Sequence, residues 1–163
     1  MMNQDFAEGL YHLSYGMVDL PTGKMKSREG TVVDADDLMA DVIEQAKQSA
    51  EVRGSMQEVS DDERNDIYRK VGMAALKYFI IRVNPRKRMT FRPDEALDMQ
   101  GTTGPYIQNA YVRIQSIIRR YGKSLPENII AMDEWGAPER QLLNLMVGYK
   151  SVIRDAMKDY DPS

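Results

Sequence analysis

The sequence predicts a mainly α-helical fold that begins with a short β-hairpin. Residues 10–18 alternate larger apolar or aromatic side chains with smaller polar ones, which is the period of a strand. The β-branched residues 31–33 follow a Pro-Thr-Gly break and a cationic loop, and we expect them to pair with the first strand. From Asp34 onward the apolar residues recur at helical spacing, so the rest of the chain is expected to be helical.

Composition narrows the class of protein. The 163 residues correspond to about one domain, and 42% hydrophobic with 29% charged residues is typical of a globular protein. The net charge of −3 argues against a basic body that binds nucleic acid, so any RNA contact is expected to be local. The absence of cysteine excludes disulfides and thiolate chemistry. Because no apolar run reaches about 18 residues and no signal pattern opens the chain, we expect a cytoplasmic protein without a membrane partner.

Four helices are predicted, and the first two have clear starting signals. The first follows Asp34 as N-cap and places Leu38, Val42 and Ala46 on one face. The second begins with a capping box in which Ser60 is the N-cap. Its apolar positions are so numerous that we expect a central helix covered on more than one side. Its main stripe is predicted to be Ile67, Val71, Ala74, Tyr78 and Ile81. The positions expected to widen this stripe are Met73, Leu76, Phe79, Ile80 and Val83.

Prolines and glycines delimit the second half of the chain. Pro85 and Pro93 flank a cationic connector through which no helix is expected to continue. The third helix is predicted to begin at Pro105 and to end at Gly122, and the fourth begins at Pro138. A domain boundary is expected near residue 100.

The residues offer few standard catalytic arrangements. His12 is the only histidine, and neither glycine-rich phosphate-binding motif is present. Acidic pairs lie at helix starts, where they are interpreted as dipole-complementing residues rather than metal ligands. The loop 23–30 is different, because three cations and a serine lie between two glycines. Composition alone favours a solvated surface hairpin, but such a loop is also suited to close over a polyphosphate.

Three segments carry motifs in a characteristic order. The first spans residues 10–38 and contains His-Leu-Ser-Tyr-Gly-Met-Val and Gly-Lys-Met-Lys-Ser-Arg-Glu-Gly-Thr-Val-Val-Asp. The second is Val-Gly-Met-Ala-Ala-Leu-Lys-Tyr-Phe at residues 71–79. The third is Gly-Thr-Thr-Gly-Pro-Tyr-Ile-Gln-Asn-Ala-Tyr-Val-Arg at residues 101–113. Together they closely resemble the arginyl-tRNA synthetases, a class I family, from the end of the catalytic domain into the anticodon-binding helices.

The resemblance implies that the chain is a fragment made of three regions. Residues 1–34 would end a Rossmann-type catalytic domain, residues 35–100 would be a helical connector, and residues 101–163 would be a partial anticodon-binding helical bundle. Lys-Met-Lys-Ser-Arg at residues 24–28 corresponds to the family's mobile KMSKS loop, with the second lysine displaced by one position. The HIGH signature, His-x-Gly-His, does not occur. We therefore expect a fragment of an arginine–tRNA ligase that is inactive by itself.

The resemblance also implies residue roles. Lys24 and Lys26 would be catalytic, contacting the ATP phosphates and stabilising the leaving pyrophosphate. The other ATP-binding residues implied are His12, Tyr15, Gly16, Met17, Ser27 and Arg28. The tRNA-binding residues implied are Gln108, Arg113, Arg119 and Arg120. Further candidates for tRNA phosphate contacts are Arg86, Lys87, Arg88 and Lys123. ATP with Mg²⁺, arginine and tRNA(Arg) are the implied ligands of the complete enzyme, and no metal ligand is predicted in this chain.

Alternatives exist for these interpretations. His12 is also suited to structural packing on the strand, and the arginines to a solvated helix face. For the whole chain, the alternative is a stand-alone, non-catalytic helical module that binds RNA or protein. Such a module is expected to cover its apolar helix faces, whereas a fragment exposes them and self-associates.

Overall fold

The structure is a computed structural model that describes residues 9–21, 34–54, 59–125 and 135–163. The elements in these ranges are β1 (Val18–Asp19), α1 (Ala35–Val52), α2 (Asp61–Ile81), β2 (Met89–Thr90), α3 (Pro93–Ala96), α4 (Gly104–Tyr121) and α5 (Ala137–Asp159). The prediction of a mainly helical fold is confirmed. Within the described ranges, no helix is both long and apolar enough to cross a lipid bilayer.

The two short strands form a parallel sheet. Val18 is opposite Met89 and Asp19 is opposite Thr90. The predicted partner strand, residues 31–33, lies outside the described residues. The part of the chain that the structure describes contains a parallel β1–β2 pair, which the sequence did not predict. The hairpin pairing with residues 31–33 stays a prediction.

The predicted strand over residues 10–18 is wrong in its extent. Residues 10–17 have irregular backbone structure, and only the last predicted residue belongs to β1. The reason is that this segment is anchored by isolated bonds to the connector rather than by a continuous ladder. The amide of Gly16 donates to the carbonyl of Pro85 at 2.6 Å, and the carbonyl of Met17 accepts from the amide of Met89 at 3.0 Å.

The starts of α1 and α2 confirm the predicted caps. The Asp34 carboxylate accepts a hydrogen bond from the amide of Asp36 at 3.0 Å. Ser60 and Glu63 form the reciprocal capping box at the start of α2. Each cap satisfies amides that the first turn of a helix leaves without an intrahelical partner.

Helix α2 is central, as predicted, because it packs against α1, α3 and α4. The main apolar stripe predicted for it is wrong, however: its members are half-buried or, at Ile81, exposed. The residues that α2 buries are Tyr68, Gly72, Ala75, Leu76 and Phe79. Leu76 and Phe79 belong to the positions expected to widen the stripe, whereas Gly72 and Ala75 are small residues that a hydrophobic pattern undervalues where helices approach closely. A Cβ at Gly72 would lie 3.0 Å from the Cα of Ile43 in α1.

The core lies between α1, α2 and the segment after β2. Phe91 is fully buried, and its ring meets the edge of Phe79 with centroids 5.1 Å apart. Val42 and Ala46 of α1 are buried beside them, as the sequence predicted. This cluster fixes the connector against the helices, and so it fixes the position of the sheet.

Both ends of α4 and the start of α5 agree with the prediction. Unlike α2, these two helices leave most of their apolar side chains exposed. Pro105 lies in the first turn of α4, and Gly122 ends the helix with a left-handed φ of 64°. Helix α5 buries none of its residues. The apolar faces of α4 and α5 are therefore largely exposed in this chain.

Candidate functional site

The predicted phosphate-binding loop lies outside the described residues. Lys24, Lys26, Ser27 and Arg28 all belong to it, so their roles stay predictions. The described chain enters the loop after β1 and resumes at Asp34, the N-cap of α1. Both flanks of the loop are thus held by defined elements.

The segment before β1 contains the remaining predicted ATP-binding residues. The side chains of His12, Tyr15 and Met17 are exposed, that of Tyr15 by 84%. Their backbone is anchored through Gly16, whose amide binds Pro85. This segment therefore combines a fixed backbone with exposed side chains, so a ligand can approach it from solvent.

Gly16 is required by a close approach between two chain segments. A Cβ at this position would overlap the backbone carbonyl of Lys87. Any side chain here would separate the segment from the connector and lengthen the bond to Pro85. The contact explains why glycine occurs at this position independently of any nucleotide.

An ion pair joins Asp19 of β1 to Arg88, the residue before β2. The Arg88 guanidinium binds the Asp19 carboxylate with Nε and with Nη2, the latter 2.8 Å from Oδ1. Asp19 is only 8% exposed, and its carbonyl accepts the amide of Phe91 at 2.7 Å. The hydrogen bonds to Asp19, and then its charge, raise the pKa of Arg88 further above its ordinary value. The sheet is therefore locked by a charge-assisted fork.

Residues 84–91 have a positioning role that the sequence did not reveal. The sequence predicts only a cationic connector between Pro85 and Pro93, whereas residues 84–91 supply β2 and the contacts to Gly16 and Asp19. The available signal was Met-Thr-Phe at residues 89–91, a short run with β-forming residues between two prolines.

The Gly-Thr-Thr-Gly-Pro motif forms the joint between α2 and α4. Thr103 caps α4 by accepting from the amide of Tyr106 at 3.2 Å, and its hydroxyl donates to the carbonyl of Asp98 at 2.5 Å. Gly104 lies so close to α2 that a Cβ would overlap the carbonyl of Ala74. This motif therefore sets how closely the two helices pack.

The predicted tRNA-binding residues lie along α4 in two different settings. The side-chain amide of Gln108 donates to the carbonyl of Lys70 in α2 at 3.2 Å, so this residue holds the joint. Arg113, Arg119 and Arg120 are exposed, and Arg119 donates to the hydroxyl of Ser116 at 3.2 Å. With a rise of about 1.5 Å per residue, Gln108 and Arg120 lie about 18 Å apart along the helix. The structure therefore does not bring Gln108 together with Arg119 and Arg120.

No group of three or more metal-ligating side chains converges in the ranges that the structure describes. His12, the sole histidine of the sequence, lies at the exposed surface.

Two family models match the chain. A model described as tRNA synthetases class I (R), catalytic domain, matches residues 1–91, and one described as DALR anticodon binding domain matches residues 107–163. The chain belongs to the arginyl-tRNA synthetase family. The resemblance expected from the motifs is thereby confirmed, and so is the combination of a catalytic-domain part with anticodon-binding helices. The division at residues 34 and 100 stays a prediction.

Individual relatives agree with this assignment. An arginine–tRNA ligase of Bacteroides thetaiotaomicron is 48% identical over 162 residues, which are 98% of this chain and 27% of the relative. One of Flavobacterium psychrophilum is 45% identical over 159 residues, 98% of this chain and 26% of the relative. The chain thus spans about a quarter of the length of these curated relatives.

A solved structure of Thermus thermophilus arginyl-tRNA synthetase has the same fold over this region. It matches with a TM-score of 0.76 and 26% identity, covering 93% of this chain and 24% of the other. Family membership is thus supported by the arrangement of the elements as well as by the sequence.

Proposed function

We propose that the chain works as part of an arginine–tRNA ligase. The complete enzyme joins arginine to ATP, which gives arginyl-adenylate and pyrophosphate, and then transfers the arginyl group to tRNA(Arg). The observation that carries the proposal is the 48% identity to an arginine–tRNA ligase over 98% of the chain. Mg²⁺ enters with ATP as part of that substrate, and the reaction belongs in the cytoplasm, where tRNA is charged.

The loop is proposed to act on the first step. Lys24 and Lys26 contact the ATP phosphates and offset the negative charge that grows on the departing pyrophosphate. Ser27 and Arg28 donate further hydrogen bonds to the phosphates. The backbone of residues 15–17 lies beside adenine, with His12 near the nucleotide. The anchoring of this backbone to the connector supports the role, because a fixed backbone loses little entropy when ATP binds.

The anticodon-binding region is proposed to hold tRNA through α4. Arg113, Arg119 and Arg120 are exposed to solvent, where phosphates can reach them, and local cations attract phosphates even on a protein of negative net charge. Gln108 supports the arrangement from the α2–α4 joint.

The exposed apolar faces favour the interpretation that the chain is part of a larger ligase over the interpretation that it is a stand-alone module. Eight large apolar side chains on α4 and α5 are between 43% and 67% exposed, whereas a module that works alone is expected to cover such faces. They are Ile107, Ile114, Ile117, Tyr121, Leu142, Met146, Tyr149 and Ile153. We propose that in the complete enzyme other helices cover them, and that the isolated chain self-associates through them.

A chimeric enzyme tests the proposed function. The chain replaces the matching 162 residues of the Bacteroides thetaiotaomicron arginine–tRNA ligase, and charging of tRNA with arginine is measured. We expect charging with arginine and none with lysine. A chimera that folds and binds arginine but does not charge tRNA contradicts the proposal.

Variants of the same chimera test the loop. Replacing Lys24 and Lys26 by alanine should depress adenylate formation far more than arginine binding, because the lysines stabilise charge that develops as pyrophosphate leaves. The matched control replaces Lys77 and Lys150, exposed lysines of α2 and α5, and should leave adenylate formation unchanged. Equal losses in both assays, or none in either, reject the assignment.

A further inference from the structure

A turn at residues 84–87 fixes the direction of the Asn84 side chain. The amide of Lys87 donates to the carbonyl of Asn84 at 2.9 Å, and the amide of Arg86 donates to Asn84 Oδ1 at 3.0 Å. Pro85 restricts the backbone between them. Because Oδ1 is engaged inside the turn, the Nδ2 group is directed outward as a donor.

One side of this turn binds the end of α5. The Nδ2 group of Asn84 donates to Oδ2 of Asp161, two residues after the last residue of α5. Tyr160 reaches this place with a left-handed φ of 52°, which is costly for a bulky residue. Its ring stacks on Tyr11 with centroids 4.5 Å apart, and Arg86 donates to the Tyr11 hydroxyl at 2.8 Å. The cost of the Tyr160 backbone is offset by these contacts.

The other side of the turn binds the segment that is proposed to lie beside adenine. The carbonyl of Pro85 accepts the Gly16 amide at 2.6 Å, and the absence of a side chain at Gly16 allows the carbonyl of Lys87 to approach. The acceptor for Gly16 and the donor to Asp161 thus belong to consecutive residues of one closed turn. A shift of Asn84 must move the Pro85 carbonyl with it.

We propose that Asp161 positions the backbone of Gly16 through Asn84, so that the docked end of α5 sets the geometry of the nucleotide segment. Asp161 and Asn84 are positioning residues and do not touch ATP. Helix α5 lies in the part that matches the anticodon-binding family model, so the contact couples that part to the catalytic part. The inference rests on the proposed function for its consequence in catalysis, but not for the coupling itself.

The experiment compares four variants in the chimeric enzyme defined above. Asp161→Ala and Asn84→Ala each remove the bond. Asn84→Asp keeps the acceptor for Arg86 but sets two carboxylates against each other, and the exchanged pair Asn84→Asp with Asp161→Asn restores one donor and one acceptor. Asp159→Ala is the matched control, because it removes a carboxylate from the same helix end without removing the bond to Asn84.

Two measurements are made on each variant. Amide hydrogen exchange, followed by mass spectrometry in peptides that contain Gly16, reports the coupling without any need for activity. We expect faster exchange there in the three variants that break the bond and a return toward the wild-type rate in the exchanged pair. The second measurement is the KM for ATP in adenylate formation. It should rise by up to about tenfold, the equivalent of one hydrogen bond, with kcat and the KM for arginine unchanged.

The outcomes separate the coupling from the proposed function. Unchanged exchange at Gly16 in Asp161→Ala, or failure of the exchanged pair to restore it, overturns the coupling. Altered exchange with an unchanged KM for ATP overturns the positioning role in nucleotide binding. If the wild-type chimera makes no adenylate, the proposed function fails, and the exchange data still decide the coupling.

Discussion

Arg88, the residue before β2, binds Asp19 of β1 through two nitrogens of its guanidinium group. The ion pair lies beside the parallel pairing of β1 with β2. The two residues are 69 positions apart in the chain. Their pairing and the burial of Phe91 bring the connector back to the start of the described chain.

The first prediction concerns this fork. Arg88→Lys keeps the positive charge but loses the paired geometry, so the thermal midpoint of unfolding should fall by a few degrees. Lys87→Ala is the matched control, because it removes a neighbouring exposed cation, and it should leave the midpoint nearly unchanged. Thermal unfolding followed by circular dichroism measures both. Equal effects of the two substitutions would show that the fork adds nothing beyond surface charge.

A second prediction uses two glycines in helices. Gly104→Ala places a Cβ against the carbonyl of Ala74, so it should lower the free energy of unfolding by about 1–3 kcal/mol. Gly148→Ala, in the interior of α5, meets no atom within 4 Å and should raise it by about 0.5–1 kcal/mol through helix propensity. Urea unfolding of both variants gives the comparison. Stabilisation by both would contradict the close α2–α4 joint.

The sequence predicts the ends of the helices but not the strand pairing or the whole buried face of α2. Helix ends were predictable because Asp34, Ser60 and Gly122 act on neighbouring amides or carbonyls. The β1–β2 pairing was not, because each strand has two residues and the partner is remote in the chain. The buried face of α2 is predicted only in part: Leu76 and Phe79 follow from the apolar pattern, but Gly72, which packs tightly against α1, does not.

For the candidate site, the sequence supplied the motifs but not their contacts. The motif Gly-Thr-Thr-Gly-Pro is recognisable in the sequence. The close approach of Gly104 to Ala74 is not, because it depends on how α2 and α4 pack. In the same way, the resemblance predicts that Gly16 lies beside a nucleotide. It does not predict the close approach of Gly16 to Lys87, because that approach depends on how the connector folds back.

The third prediction concerns pH. Hydrogen bonds from the backbone and side chain of Ser163, with smaller contributions from Asn84 and the charge of Arg86, hold the pKa of Asp161 below its ordinary value of 3.8. A lowered pKa means that the ionised form stabilises the fold. This contribution is complete above the ordinary value and is lost as the pH falls through the folded pKa. The Asp161 tie should therefore persist at neutral pH and open only in acid.

Titration of the Asp161 carboxyl carbon by NMR measures this pKa. Asn84→Ala should raise the pKa only part of the way, because the bonds from Ser163, the larger cause, remain. A wild-type pKa at or above the ordinary value, or no response to Asn84→Ala, would refute the described contacts.

The fourth prediction tests the proposed tRNA contacts of α4. Replacing Arg113, Arg119 and Arg120 by alanine in the chimera should weaken tRNA binding and make it less sensitive to salt. The slope of log affinity against log salt should shrink by about one unit per lost phosphate contact. Lys47→Ala with Arg53→Ala, in α1 and its C-cap, is the control, compared per charge removed. Equal changes per charge would mean that α4 has no specific part in tRNA binding.

Arginine-dependent exchange of pyrophosphate into ATP by the chimeric enzyme tests the central proposal most directly, because it isolates the step in which the loop is proposed to act. We expect exchange with arginine at a rate comparable to that of the Bacteroides thetaiotaomicron enzyme, and none with lysine. A folded chimera that binds arginine and ATP but exchanges no pyrophosphate would contradict the assignment of this chain to an arginine–tRNA ligase.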